Sequence, residues 1–147
     1  MITEIDQETL DIDWFFIADQ NIAFVASGGG KLPQSVAKSF KKNKLLTSFF
    51  RNLPVISEVI INPDLSKIVT TPINDQYLAD FVEMAKKGLL SFDKTVLNNF
   101  SESHYHLVAR PVNPLQLNQL PIGIREIISE SQYHGKVGAT IDSNFIM

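Results

Sequence analysis

No cysteine occurs among the 147 residues, which excludes disulfides, thiolate nucleophiles, CxxC redox pairs and cysteine-ligated zinc together. Long hydrophobic runs are missing too. Strongly apolar stretches such as residues 14–18 and 55–61 fall far short of the roughly 20 residues that a membrane-crossing helix needs. The first ten residues carry acids instead of Lys or Arg followed by an apolar run, so no secretion signal is read and a cytoplasmic location is expected. What is present is ample core material: 44% apolar residues, with 10 Phe, 3 Tyr and 1 Trp. A chain of this length buries roughly 68–70% of its unfolded surface and needs neither metal nor cofactor to hold a core.

Charge is absent in a second, local sense. Residues 1–19 contain Glu4, Asp6, Glu8, Asp11, Asp13 and Asp19 and no base, whereas residues 20–57 contain Lys31, Lys38, Lys41, Lys42, Lys44 and Arg51 and no acid. The net charge of −3 therefore conceals an acidic block followed by a basic one. An acidic lip beside a basic surface steers partners more than it fixes a fold. The competing reading is two solvated faces that neutralise one another. The acidic pI, near 5.5, and the placement of Phe40, Phe49 and Phe50 on apolar stripes that read as core argue against nucleic acid as the partner of the basic block.

Residues 11–19 (DIDWFFIAD) and 21–27 (NIAFVAS) read as a β-hairpin, with Trp14 and Phe16 on one face and Phe15 and Ile17 on the other. Gly28-Gly29-Gly30-Lys31-Leu32-Pro33 then leads into a helix. The stripe of Val36, Ala37 and Phe40 is rotated from that of Leu45, Leu46, Phe49, Phe50 and Leu53, which predicts a break near Asn43 and two short helices ending before Pro54. Residues 55–61 and 67–71 read as extended. Asn74 as cap, Tyr77, Leu78, Phe81, Val82 and Ala85 as stripe, and Gly88 as stop define a helix over 75–87. A strand over 104–110, closed by Pro111 at a sheet edge, and a helix over 122–131 follow. Residues 1–147 thus form a single α+β domain, its antiparallel sheet starting with the N-terminal hairpin and packed by several short amphipathic helices.

Few side chains group into recognisable chemistry. The glycine loop follows a strand and opens a helix, as phosphate loops do, but Val25 and Leu32 stand where a Walker A loop needs Gly and Ser/Thr, and Pro33 breaks GxGxxG. Gly28, Gly29, Gly30 and Lys31 remain the candidate site for an anion or small ligand. His104 and His106 share a strand face, with His134 as the third imidazole of a metal site, but Arg110 lies on that same face and its charge opposes a metal. Asp11, Asp13 and Asp19 are the only tight carboxylate cluster, with Asp11 and Asp13 on one strand face, and no GxSxG elbow occurs. No metal site and no catalytic residue is assigned.

Residues 12–33 (IDWFFIADQNIAFVASGGGKLP) together with 107–121 (LVARPVNPLQLNQLP) resemble a group of small uncharacterised bacterial proteins with a D-W-F hairpin and a Gly-rich loop. Some of these resemble immunity proteins of polymorphic toxin systems, which implies a fold that binds and blocks a partner toxin. The expectation is a non-enzymatic, cytoplasmic binding protein. Its partner, a protein rather than a membrane or nucleic acid, would meet Lys38, Lys41, Lys42 and Lys44 and the acidic hairpin flank.

Overall fold

Regular structure begins where Thr3 accepts a hydrogen bond from the Asp6 amide (3.2 Å) and caps α1 (Glu4–Thr9). The computed structural model describes residues Met1–Met147. β1 (Asp13–Ala18) and β2 (Asn21–Ala26) follow as the hairpin, turned by Asp19 at φ 55°, a left-handed position that Asp tolerates. The pairing of Phe15 with Phe24 and Ile17 with Ile22 sends these four side chains to one face, and Trp14, Phe16, Ala23 and Val25 to the other. Both faces are buried, which explains an almost continuous apolar run on each strand.

The chain continues through α2 (Gln34–Ala37), α3 (Phe40–Arg51), β3 (Val59–Ile61), α4 (Asp75–Lys86), β4 (Leu90–Lys94), β5 (His104–Pro111), α5 (Ile122–Ile128) and β6 (Thr140–Asp142). Strand order is β1-β2-β4-β5-β3, with β6 also lying along β5. The fold is α+β, but the sheet is mixed rather than antiparallel, because β2 and β4 run parallel. Their connection carries two helices, a short strand and a third helix, and only such a long crossover can return a strand in the same direction.

β5 is not an edge strand. It pairs with β4 on one side and with β3 and β6 on the other, and Pro111 is tolerated because it lies past Ser91, the last β4 residue in the ladder. A register shift beside Ser91 sends Val108 and Ala109 both into the helix-side core. Simple alternation from His104 to Arg110 is thereby interrupted.

One face of the sheet carries α3, α4 and α5 over Phe15, Phe24, Phe50, Phe81 and Ile128; the other is covered by α2 and the two chain ends over Trp14, Phe16, Phe92 and Tyr105. The first helical pair breaks at Ser39 rather than near Asn43. Ser39 accepts from the Lys42 amide (3.1 Å) and starts α3 afresh, while Asn43 is buried and donates to the Asp13 carbonyl (2.9 Å) on the outer edge of β1. That edge is further closed by Ser131 and Tyr133, which bond the Ile17 backbone. α4 matches its sequence pattern, with Asn74 accepting from the Tyr77 amide (2.9 Å) and Gly88 at φ 96°. The extended reading of 67–71 gives way to a 3-10 turn over Leu65–Lys67, and that of 55–61 shrinks to β3, since the Ile56 and Ser57 amides both donate to the Lys86 carbonyl. No helix is long and apolar enough to cross a membrane.

Candidate functional site

The parallel pairing of β2 and β4 places the loops after these two strands side by side, and the glycine loop owes its sequence to that contact. Gly28 and Gly29 take φ of 54° and 75°. A Cβ on Gly28 would lie 3.0 Å from Lys94 Cβ, one on Gly30 2.8 Å from Lys94 Cε, and one on Gly29 3.0 Å from the Glu8 carbonyl oxygen. Gly28 and Gly30 therefore accommodate the buried stem of Lys94, and Gly29 the approach of the Glu8 backbone. The Lys94 ammonium reaches the Glu102 carbonyl and sits 5.4 Å from the Tyr105 ring centre, and burial lowers its pKa.

Four of the amides that an anion would need are already in use, and only Gly29 N has no acceptor within the protein. Gly28 N donates to Asp11 Oδ1 (2.9 Å), Gly30 N to the Ser27 carbonyl (2.8 Å), Lys31 N to Phe100 (3.0 Å) and Leu32 N to Gln7 Oε1 (2.9 Å). Only the Lys31 side chain faces outward, on a pocket of about 270 Å³ shared with Glu102, Ser103 and Asn144.

The four lysines of the basic block divide into two pairs. Lys38 and Lys42 both meet Glu130 beyond the end of α5, at 3.3 and 3.1 Å, in an exposed cluster of the kind that contributes little to stability. Lys41 and Lys44 have no carboxylate partner, and Lys44 lies 5.9 Å from the centre of the Phe40 ring. Phe40 itself is 60% exposed, contrary to its place on an apolar stripe. With the helix restarting at Ser39, Phe40 opens α3 and points away from the core that Leu46 and Phe50 enter.

Between α1 with its following segment and the first turns of α3 lies a groove of about 320 Å³. Asp6, Asp11 and Asp13 line one wall; Phe40 and Lys44 line the other. Leu10 (52% exposed) also lines it, and Leu45 (48%) is exposed on α3 next to Lys44. The two oppositely charged blocks of the sequence thus border a single apolar-floored cleft. Arg51, three turns along α3 from Phe40, grips Asp13 (2.8 and 3.2 Å), Asp80 (3.4 Å) and Glu83 (2.5 Å), with its guanidinium 5.4 Å from the Phe24 ring centre. Burial raises the Asp13 pKa, and the Arg51 hydrogen bond and charge oppose the rise.

The structure separates the other candidates. Asp11 engages the Gly28 amide and Asp13 engages Arg51, so the carboxylate pair serves two different contacts. His106 is fully buried, with Nδ1 3.0 Å from Thr95 Oγ1, and burial pulls its pKa down to about 4. His104 is exposed and bonds Glu102, and the His134 amide bonds Phe145 near the C-terminus. No three His, Asp or Glu side chains gather as a metal site would require. The sequence pattern misses Phe40 and Leu10 as surface groups, since exposure is decided by where the helix restarts. Comparison with protein-family models, curated proteins and solved structures yields no match to this chain.

Proposed function

We propose that the protein acts by binding a protein partner across the groove between α1 and α3, with Phe40 as the central anchor. The observation that carries this reading is the 60% exposure of Phe40 between an acidic wall and the unpaired Lys41 and Lys44. An aromatic ring gains roughly 1.5–3 kcal/mol when its apolar surface leaves water, so an exposed Phe framed by charges is a fitting nucleus for an interface. The matching partner surface presents an apolar hollow for Phe40 and Leu10, acids toward Lys41 and Lys44, and bases toward Asp6 and Asp11.

The resemblance of residues 12–33 and 107–121 to immunity-type proteins supports the same reading, with a toxin as the partner and the cytoplasm as the place of encounter. A chain without cysteine suits that compartment. The test is photo-crosslinking in the native host with benzoylphenylalanine at position 40 and, as a control, at exposed position 122. Crosslinking of one protein from position 40 and not from 122, lost on adding Lys41→Glu and Lys44→Glu, is the expected result. Equal crosslinking from both positions, or none from position 40, would overturn the proposal.

A further inference from the structure

Away from this groove, α4 and β4 bring together Tyr77 and Asp93, whose hydroxyl and Oδ2 are 2.8 Å apart. Five carboxylate residues are half-buried: Asp13, Asp93, Glu102, Glu130 and Asp142. Four of them have a basic side chain within 4 Å, namely Arg51 for Asp13, His104 for Glu102 and Asp142, and Lys38 and Lys42 for Glu130. Asp93 alone has none. Its Oδ1 accepts the Lys94 amide (2.9 Å), but the Lys94 side chain leaves for the opposite face of the sheet, toward Tyr105. The remaining ionisable groups around it are Tyr77 from α4, the buried His106 paired with it across β5, Tyr105 on the opposite face, and Asp11, whose charge repels it. Desolvation raises Asp93 to a pKa of about 6, as befits a carboxyl held without a counter-charge.

Asp93 and Tyr77 line a groove of about 520 Å³ whose other polar contributors are Thr70, Thr71, Asn74, Gln76, Thr95 and Lys94, the last with its ammonium turned away to the Glu102 carbonyl. Ile68, Val69 and Leu97 supply apolar surface. We infer that this groove binds a small organic cation, an alkylammonium or guanidinium, whose charged end pairs with Asp93. An ammonium or guanidinium carries only donors and needs acceptors on several sides. Asp93 has a free lone pair on each oxygen, the Tyr77 oxygen can accept while its proton is given to Asp93, and the threonine hydroxyls and amide oxygens serve as further acceptors. The volume falls within the range of small-ligand sites. A single carboxylate suits a monovalent organic cation rather than a divalent metal, which gathers several oxygen ligands.

The experiment titrates the whole protein with n-butylamine and methylguanidine, with neutral methylurea as comparator, following backbone amides and the Asp93 side-chain carboxyl by NMR. Either cation should give saturable shifts at Thr71, Tyr77 and Lys94 and should lower the Asp93 pKa by about one unit or more. Asp93→Asn should weaken that response about tenfold or more. Thr71→Trp, at an exposed position on the rim, should block the groove without touching the carboxyl. Absence of a saturable response, an equal response to methylurea, or shifts that persist unchanged in Asp93→Asn would each overturn the inference.

Discussion

Asp93 and His106 face one another across β4 and β5, and burial moves them in opposite senses from their ordinary pKa values, Asp93 up to about 6 and His106 down to about 4. The two shifts act oppositely on stability. Between the ordinary carboxyl value and about 6, folded Asp93 holds more proton than the unfolded chain, so its contribution is present at low pH and is lost as pH rises through 6. Between about 4 and the ordinary imidazole value, folded His106 holds less proton than the unfolded chain, so its contribution is present at neutral pH and is lost as pH falls through 4. Over pH 4–6 the slopes oppose one another, and wild-type stability should be nearly flat on account of this pair. Asp93→Asn should unmask a stability that rises with pH across that window, by about 1–3 kcal/mol. Urea unfolding at several pH values checks this; a variant profile as flat as the wild type would show that His106 is not held neutral by the fold.

At the scale of elements, legibility in the sequence tracks how locally each element is determined. α4 carries its own cap, stripe and stop within fifteen residues, so Asn74, Phe81 and Gly88 can be read without knowing the rest of the chain. β4 has no such signal. Its Ser91, Asp93 and Lys94 are polar residues on a central strand, accepted there because Ser91 donates to the Phe81 carbonyl (2.9 Å), Asp93 meets Tyr77, and the glycine loop shelters Lys94. All three reasons lie in distant segments. The α2–α3 break is intermediate: two rotated stripes predict it, but the Ser39 cap sets its place and thereby sends Phe40 outward. The candidate groove was legible as two charged blocks, while its apolar centre was not. Stability measurements separate the two aromatic roles directly. Phe50→Ala, at a fully buried ring packed 4.7 Å from Phe15, should cost about 3–5 kcal/mol, whereas Phe40→Ser should stay within about 0.5 kcal/mol of wild type. A comparable loss for Phe40→Ser would return that ring to the core and remove it as an anchor.

Across the whole molecule, Arg51 does for the helical layer what Lys94 does under the glycine loop: one long cation joins segments far apart in sequence. Its guanidinium holds Asp13 on β1 together with Asp80 and Glu83 on α4 and lies over Phe24 of β2, while its carbonyl accepts the Lys87 ammonium. The acidic block of the sequence is therefore tied to the basic block at this point and left open at the Phe40 end, where the groove begins. Asp13 is the partner most withdrawn from water, with burial raising its pKa against the pull of Arg51, so removal of the cation strands it. Arg51→Met should destabilise by about 1–3 kcal/mol, less than for a fully buried pair because both partners are about one-quarter exposed. Adding Asp13→Asn to that variant should recover part of the loss, since the stranded charge is gone, and a double-mutant cycle reads the coupling directly. Asp80→Asn, on the most exposed of the three carboxylates, should change stability by no more than about 0.5 kcal/mol. Additive losses for Arg51→Met and Asp13→Asn would mean that the guanidinium works through its packing on Phe24 and not through its charge, and the tie between sheet and helices would then be apolar.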